Sequence, residues 1–166
     1  VRELYEACYY GDDILKDSIK EVGLEGWVRT NRDNGSVGFI ELNDGTFFQN
    51  LQIVFEDDLQ NFDEVCKLGI STAIIVTGKL VASPGSGQAF ELKAAEILVE
   101  GSCPSDYPLQ KKRHSFEYLR TIAHLRPRSN TFNAVFRVRS EAAYAIHDFF
   151  HSRGFVYTHT PLITGS

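Results

Sequence analysis

The sequence has few cysteines, no long apolar run and no export signal, and each absence excludes a class of protein. Cys8, Cys66 and Cys103 are widely spaced and form no CxxC pair, so neither a disulfide framework nor a cysteine metal site is expected. No apolar run approaches the roughly 20 residues that cross a bilayer. The first residues lack a basic region followed by an apolar stretch. We therefore expect a reducing, cytoplasmic location.

Recognisable catalytic and phosphate-binding patterns are also missing. There is no GxGxxG and no P-loop, so no phosphate cradle of either type is predicted. Among the five histidines only His147 and His151 stand four residues apart, and they lack an HExxH arrangement. The histidines are therefore interpreted as surface residues of a helix. No Ser/His/Asp or Cys/His constellation is apparent, so no catalytic residue is predicted within this chain.

Positive charge is scarce in residues 1–110, where 8 Lys and Arg stand against 19 Asp and Glu, a net charge of −11. Residues 111–139 reverse this balance, with 8 Lys and Arg against one Glu, a net charge of +7. Because attraction to phosphate supplies most non-specific affinity for nucleic acid, the acidic part is not a general binding surface. A local site remains compatible with it. The basic part fits either a phosphate backbone or a solvated face.

Short alternating segments separated by turn residues dominate the first hundred positions. Residues 22–32 alternate as a strand, and Asp33-Asn-Gly35 and Asn43-Asp-Gly45 are turn signals that join it to two more strands. Leu59, Phe62 and Cys66 recur at helical spacing, and Gly69 is predicted to end that short helix. Two further strands are predicted over 73–82 and 89–98. Three strands, a helix and two strands is the order of a five-stranded OB barrel, although a binding barrel of another kind has the same pattern.

The side chains that alternate away from the apolar face suit nucleic-acid bases. In the second strand Gly38, Ile40 and Leu42 share one face and Phe39 points the other way. Gln52 likewise lies opposite the apolar residues of the third strand, and Arg32 lies in the turn before Phe39 and Gln52. An aromatic ring stacks on a base and an amide reads its edge. The alternative is that Phe39 belongs to a sandwich core and Gln52 is merely solvated.

The last sixty residues have a different, helical pattern. A linker over 104–108 is followed by a helix that Ser115 caps and that runs to about Leu125. A longer helix over 133–152 carries an apolar stripe, ends at Gly154 and precedes a strand over 155–160. A strand without partners is not a domain. We therefore divide the chain into an OB domain (1–103), a hinge (104–130) and the opening of a second domain (131–166), whose apolar helix face could also drive self-association.

Several separated stretches together resemble one family. The stretch that begins Tyr107-Pro-Leu-Gln-Lys-Lys-Arg-His-Ser-Phe-Glu and continues to Phe132 closely resembles the hinge of asparaginyl-tRNA synthetases. Val135-Phe-Arg-Val-Arg-Ser-Glu141 and Gly154-Phe-Val-Tyr-Thr-His-Thr-Pro-Leu-Ile-Thr-Gly-Ser166 resemble that family's motif 1. The resemblance is weakest over residues 1–21. Asn133 departs from it, since the family commonly has Gly there, and as an N-cap Asn133 would be tolerated.

This resemblance implies a class II enzyme with an N-terminal OB domain that reads the anticodon and a C-terminal α+β catalytic domain. The whole enzyme would activate asparagine with ATP, with Mg²⁺ as metal, and transfer it to tRNA(Asn). The ATP-binding and catalytic motifs would lie beyond Ser166, so the chain alone would bind tRNA and not catalyse. Motif 1 of this family builds a homodimer interface, and Pro161 matches the proline that ends it.

The resemblance also assigns roles at individual positions. Phe39 matches the aromatic residue on which the central anticodon uridine stacks, Gln52 the amide that reads its edge, and Arg32 the basic residue beside it. Glu91 matches an acid that contacts a flanking base. By charge alone, Arg120, Arg126 and Arg128 are predicted to contact tRNA at the hinge. The alternatives are a non-discriminating aspartyl-tRNA synthetase and a stand-alone OB module for single-stranded nucleic acid.

Overall fold

The computed structural model describes residues 1–10, 21–85, 87–163 and 165, in two compact units. The units are Val1–Arg113 and His114–Ser166. The first unit is built on a β-barrel, the second is helical, and the residues predicted as a hinge are divided between them. Within the described ranges no helix has both the length and the apolar character that crossing a bilayer requires.

Five strands close into a barrel in the first unit, which confirms the predicted OB fold. Around the barrel the strands follow the order β1-β2-β3-β5-β4, and a short helix, α2 (Phe62–Val65), lies between β3 and β4 in sequence. The bounds of the five strands agree with the predicted segments to within three residues, because alternation and turn residues both mark where a strand begins and ends. The strands are β1 (Glu21–Asp33), β2 (Val37–Asn43), β3 (Leu51–Glu56), β4 (Ala73–Ala82) and β5 (Phe90–Gly101).

The barrel closes at a short parallel seam between β3 and β5. Only Ile53↔Leu92 and Val54↔Lys93 pair there, whereas the four other strand pairs are antiparallel and longer. Parallel pairing is also slightly less stable per residue than antiparallel pairing. An ion pair of 2.8 Å between Lys93 Nζ and the Glu56 carboxylate spans the seam on the outside. The hydrogen bond to Glu56 and its charge raise the pKa of Lys93.

The barrel core is filled by the apolar face of each strand, in agreement with the alternation of the sequence. Ile40 and Leu42 of β2 and Leu51, Ile53 and Phe55 of β3 are fully buried. The ring of Phe55 lies directly on Gly38, where an added Cβ would stand 2.0 Å from a ring carbon. Because no side chain has room at this position, a glycine is required for Phe55 to occupy the core.

An N-terminal helix, α1 (Arg2–Tyr9), was not predicted from the sequence. The Tyr5 ring lies 5.1 Å from the Phe47 ring and 5.0 Å from the Phe90 ring, and the Tyr5 hydroxyl donates to the carbonyl of Asn50 at 2.8 Å. This burial raises the pKa of Tyr5. Helices this short are marginal on their own, so α1 is held by contacts with the barrel that local sequence does not reveal.

The predicted end of the first barrel helix at Gly69 is wrong. The helix α2 ends at Val65, Gly69 does not have a left-handed backbone, and Ser71 does, with φ +67°. The reason is a side chain from another strand: Asn31 Nδ2 of β1 donates to the carbonyl oxygens of Val65, Cys66 and Leu68 at 2.7, 3.3 and 3.2 Å. These bonds satisfy the helix-end carbonyls that a glycine cap would otherwise satisfy.

The second unit contains α3 (Phe116–Thr121), a 3-10 turn (Arg126–Arg128) and α4 (Asn130–His151). The Ser115 hydroxyl accepts from the Tyr118 N–H at 3.2 Å, which confirms the predicted cap, but α3 ends four residues before Leu125. The predicted cap at Asn133 is wrong, because α4 begins three residues earlier. Asn133 lies inside its first turn and accepts from Arg137 Nε at 2.8 Å.

The predicted apolar stripe of α4 is present but uncovered. No residue of α4 is buried, and Val138 and Ile146 are 68% and 60% exposed. Gly154 has φ +82°, which confirms the predicted helix end. The predicted strand over 155–160 is wrong: these residues form no ladder, because the described residues offer this segment no partner strand.

Candidate nucleic-acid interface

The outer face of β1 and β2 carries an aromatic ring in contact with a cationic side chain. Phe39 alternates with the buried Gly38 and Ile40, so its half-buried ring faces away from the core. The antiparallel register places Arg32 of β1 directly opposite Phe39, and the Arg32 guanidinium lies 5.2 Å from the ring centroid. This distance is within the range of a cation–π contact. The pair therefore offers a flat apolar surface beside a positive charge.

The predicted amide and acid meet on the neighbouring strands. Gln52 lies at the start of β3, and Glu91 lies near the start of β5, one residue before each strand enters the seam. Gln52 Nε2 donates a hydrogen bond of 3.0 Å to Glu91 Oε2. The two residues were predicted to contact different bases, and their contact with each other was not predicted.

Glu91 is held by two further donors from the loop between β4 and β5. The Ser83 hydroxyl and Gln88 Nε2 donate to Glu91 Oε2 at 3.1 and 3.3 Å. Glu91 is 8% exposed, so these partners offset the cost of burying its carboxylate. Gln88 Nε2 and the Gly85 N–H also lie 3.3 and 3.2 Å from Ser83 Oγ. The loop is thereby fastened to the acid.

The four predicted anticodon residues thus form two contacting pairs on one outer face. Phe39 opposes Val54 of β3, and Glu41, two residues further along β2, opposes Gln52. Phe39 and Gln52 are therefore diagonal neighbours of adjacent strands. The face combines a stacking ring, a cation, an amide and a buried carboxylate. Such a set can stack on a base and hydrogen-bond its edge.

Ser83 and Gln88 were not predicted from the sequence, in which residues 83–87 read only as a loop. Both are small polar or amide side chains beside glycines and a proline, which is ordinary loop composition. Their common target, Glu91, is reached only because β4 and β5 pair and fold the loop back, with the Ser83 N–H donating to the Ala89 carbonyl at 3.1 Å. No sequence signal distinguishes them from solvated residues.

The three predicted hinge arginines belong to the second unit. Arg120 lies in the last turn of α3 and is exposed, as is Arg128. Arg126 is half-buried, with its guanidinium 5.0 Å from the Phe132 ring and 5.5 Å from the Phe136 ring. Arg126 Nε is buried and has no hydrogen-bond partner among the described residues. Arg126 therefore contributes to packing of the second unit.

Pro161 lies in the exposed segment after α4, and no metal cluster is found in the described part of the chain. Residues 155–163 form no ladder, and Pro161 is exposed. No described group of three or more His, Cys, Asp and Glu side chains could hold a metal ion. The His147 ring instead makes an edge contact with Tyr157, with ring centroids 4.9 Å apart.

The barrel matches a known family of nucleic-acid-binding domains. Residues 22–100 match the tRNA_anti-codon family, described as an OB-fold nucleic acid binding domain. These residues contain Arg32, Phe39, Gln52 and Glu91. The family match therefore covers the whole of the candidate interface.

Curated relatives match almost the entire chain but extend well beyond it. The asparagine--tRNA ligase of Alkaliphilus oremlandii is 68% identical over 93% of this chain and 34% of the relative. The asparagine--tRNA ligase of Clostridium beijerinckii is 60% identical over 100% of this chain and 34% of the relative. The chain thus spans about a third of the length of the curated relatives it matches.

A solved structure of more distant sequence has the same fold. The asparaginyl-tRNA synthetase from Pyrococcus horikoshii has a TM-score of 0.78 at 25% identity, covering 87% of this chain and 35% of that one. An aspartyl-tRNA synthetase from Entamoeba histolytica, at 19% identity and a TM-score of 0.72, shares the fold.

Proposed function

We propose that this chain is the part of an asparagine--tRNA ligase that reads the anticodon of tRNA(Asn). The chain belongs to the asparagine--tRNA ligase family and spans about a third of its relatives' length. The observation that carries this proposal is the arrangement of two residue pairs on the outer face of the barrel. Arg32 contacts the ring of Phe39, and next to this pair Gln52 donates a hydrogen bond to Glu91. The central anticodon uridine stacks on Phe39, and the Gln52 amide reads its edge. Glu91 contacts a flanking base.

The activity of the whole enzyme follows from the family and is part of the proposal. The full-length protein activates asparagine with ATP to an adenylate and transfers the acyl group to its tRNA in the cytoplasm. Mg²⁺ is its expected metal. The described residues contain no cluster that fits a metal ion. We expect the chain alone to show no asparagine-dependent exchange of pyrophosphate into ATP.

The second unit contributes part of the hinge and the dimer contact in this proposal. Arg120 and Arg128 are exposed, which suits contact with tRNA phosphates, whereas Arg126 is engaged with two aromatic rings and is the weaker candidate. The exposed apolar face of α4 and the segment around Pro161 would form the homodimer interface. We propose the same division as for the sequence: barrel 1–103, hinge 104–130 and catalytic-domain opening 131–166.

The test is binding of this chain to a hairpin RNA that carries the asparagine anticodon. Phe39→Ala and Gln52→Ala should each weaken binding, the first by about 1–3 kcal/mol because one base–aromatic stack is lost. Fluorescence anisotropy with labelled RNA measures both. Phe48→Ala is the matched control, since Phe48 is a 49% exposed aromatic residue of the same unit outside the proposed face.

The contrary outcome is equally definite. Binding that ignores the central base, survives both substitutions and disappears at high salt would come from phosphate contacts alone. Anticodon reading by Phe39 and Gln52 would then be withdrawn, and the basic residues of 111–139 would be the only RNA contact left to consider.

A further inference from the structure

We propose that Glu91 fixes the direction of the Gln52 side-chain amide and thereby makes the interface select a base whose ring nitrogen N3 is an N–H donor. This inference rests on the proposed function, because it concerns how the proposed base-reading residue is set. It assigns Glu91 a positioning role through Gln52, in addition to the base contact that the family resemblance implies. It assigns Ser83 and Gln88 the role of holding Glu91 in place.

Three donors converge on a single oxygen of Glu91. Gln52 Nε2, the Ser83 hydroxyl and Gln88 Nε2 approach Glu91 Oε2 at 3.0, 3.1 and 3.3 Å. The first comes from β3 and the other two from opposite ends of the loop between β4 and β5. A carboxylate at 8% exposure with three donors has little freedom to rotate.

The chemistry of the two groups then sets the direction of the amide. An ionised carboxylate accepts hydrogen bonds and cannot donate them, whereas a glutamine amide has a donating and an accepting end. Only the nitrogen end of Gln52 can therefore face Glu91. The oxygen end must point the other way, and in the described part of the chain no group donates to Gln52 Oε1. The exposed end of this amide is thus set as an acceptor.

A fixed acceptor has a consequence for base choice. The edge of uracil has an N3–H donor, while the corresponding N3 of cytosine is an acceptor. An outward Oε1 accepts from uracil N3–H and meets cytosine N3 as one acceptor against another. If Gln52 were free to turn over, its Nε2 would serve cytosine equally well. Glu91 therefore converts an ambiguous amide into one that discriminates uridine from cytidine.

The experiment compares two anticodon hairpins, identical except for uridine or cytidine at the central position, in binding to the full 166-residue chain. Glu91→Gln replaces the carboxylate by an amide that can either donate to or accept from Gln52, so Gln52 can turn over. We expect the ratio of the two dissociation constants to fall about tenfold, equivalent to about 1.4 kcal/mol. The fall should come largely from tighter binding of the cytidine hairpin, a change that a merely structural defect would not produce.

Two further variants make the outcome decisive. Glu96→Gln removes the same charge from an exposed position on the same strand and should leave the ratio unchanged. Gln88→Ala removes one of the donors on Glu91, leaves the barrel core intact and should lower the ratio by a smaller factor, about two- to threefold, as expected for part of one hydrogen bond. Thermal unfolding monitored through Trp27 shows whether each variant is folded.

The possible failures are distinguishable. If the unchanged protein binds both hairpins equally, the proposed function itself fails at Gln52. If it prefers uridine, but folded Glu91→Gln and Gln88→Ala retain the full preference, the positioning role of Glu91 is overturned while anticodon reading stands. Equal weakening of both hairpins by Glu91→Gln would also overturn it, since the acid would then contribute affinity without base choice.

Discussion

At Gly38 the barrel leaves no room for a single added carbon, because the Phe55 ring occupies the space above it. A Cβ would stand 2.0–2.5 Å from three ring atoms. Phe55 is fully buried and packs at 5.6 Å against Phe62, so the ring has nowhere to move without disturbing the core. Gly38 directly precedes Phe39 in β2, so a buried position and the outward-facing aromatic residue are neighbours in the same strand.

We expect Gly38→Ala to lower the free energy of unfolding of the barrel by at least about 2 kcal/mol, as forced overpacking does. Urea denaturation followed by the fluorescence of Trp27, the single tryptophan, measures it. Gly69→Ala is the control: no atom lies within 4 Å of the point where its Cβ would stand, and its backbone is not left-handed. A cost at Gly38 no larger than at Gly69 would contradict the close contact between Gly38 and the Phe55 ring.

Residue positions at the interface were predictable only where strand alternation decides them. Phe39 and Gln52 were placed outward correctly, because a period of two leaves one choice once the apolar face is known. The contact of Arg32 with Phe39 depends on the register of β1 against β2, and the contact of Gln52 with Glu91 depends on barrel closure. Neither is encoded locally, so neither contact was predictable from the sequence.

At the scale of elements, one amide secures the connection between α2 and β4. Asn31 Nδ2 donates to three carbonyl oxygens that follow or end α2, and Asn31 Oδ1 is buried with no partner among the described residues. The side chain of a β1 residue thus serves as the cap of a helix more than thirty positions away.

Asn31→Ala should cost about 1–3 kcal/mol of unfolding free energy, because buried carbonyl groups lose their donor. Asn31→Asp should cost more, since a carboxylate would face those same carbonyls. Both are measured by urea denaturation. Asn34→Ala provides the comparison, because the Asn34 side chain accepts only from N–H groups of an exposed turn. Near-wild-type stability of Asn31→Asp would show that the amide does not hold the helix end.

Elements were predictable where local pattern and tertiary structure agree. The five strands and α4 have strong periodicity and clear turn residues, so they were found. The helix α1 was missed because aromatic contacts with Phe47 and Phe90 hold it. The strand at 155–160 was predicted wrongly, since a β-rich composition forms a strand only beside another strand.

At the scale of the whole chain, the uncovered face of α4 is the largest departure from an ordinary globular surface. The apolar stripe in the sequence predicts self-association through this face, and the family resemblance implies a homodimer interface there. Contiguous exposed apolar side chains are typical of protein–protein contact surfaces. They include Val135, Val138, Ile146, Phe149 and Phe150.

We expect the chain to self-associate at micromolar concentrations through this face. Size-exclusion chromatography with light scattering should report a dimer or larger species, and Ile146→Glu should shift it towards the monomer by placing a charge among apolar groups. Ser140→Glu, at an exposed polar position of α4, should leave the mass unchanged. A monomer in the unchanged protein would contradict the proposed dimer contact.

The short parallel seam between β3 and β5 has a consequence for motion. It is the barrel's shortest ladder, and Gln52 and Glu91 lie directly before it, so their hydrogen bond adds a side-chain link between the two strands with the fewest paired residues. A base that contacts both residues would add a further link between β3 and β5. Binding of the proposed anticodon would then also stabilise the closed barrel. The residues proposed to read the RNA would then also influence how often the barrel opens locally at this seam.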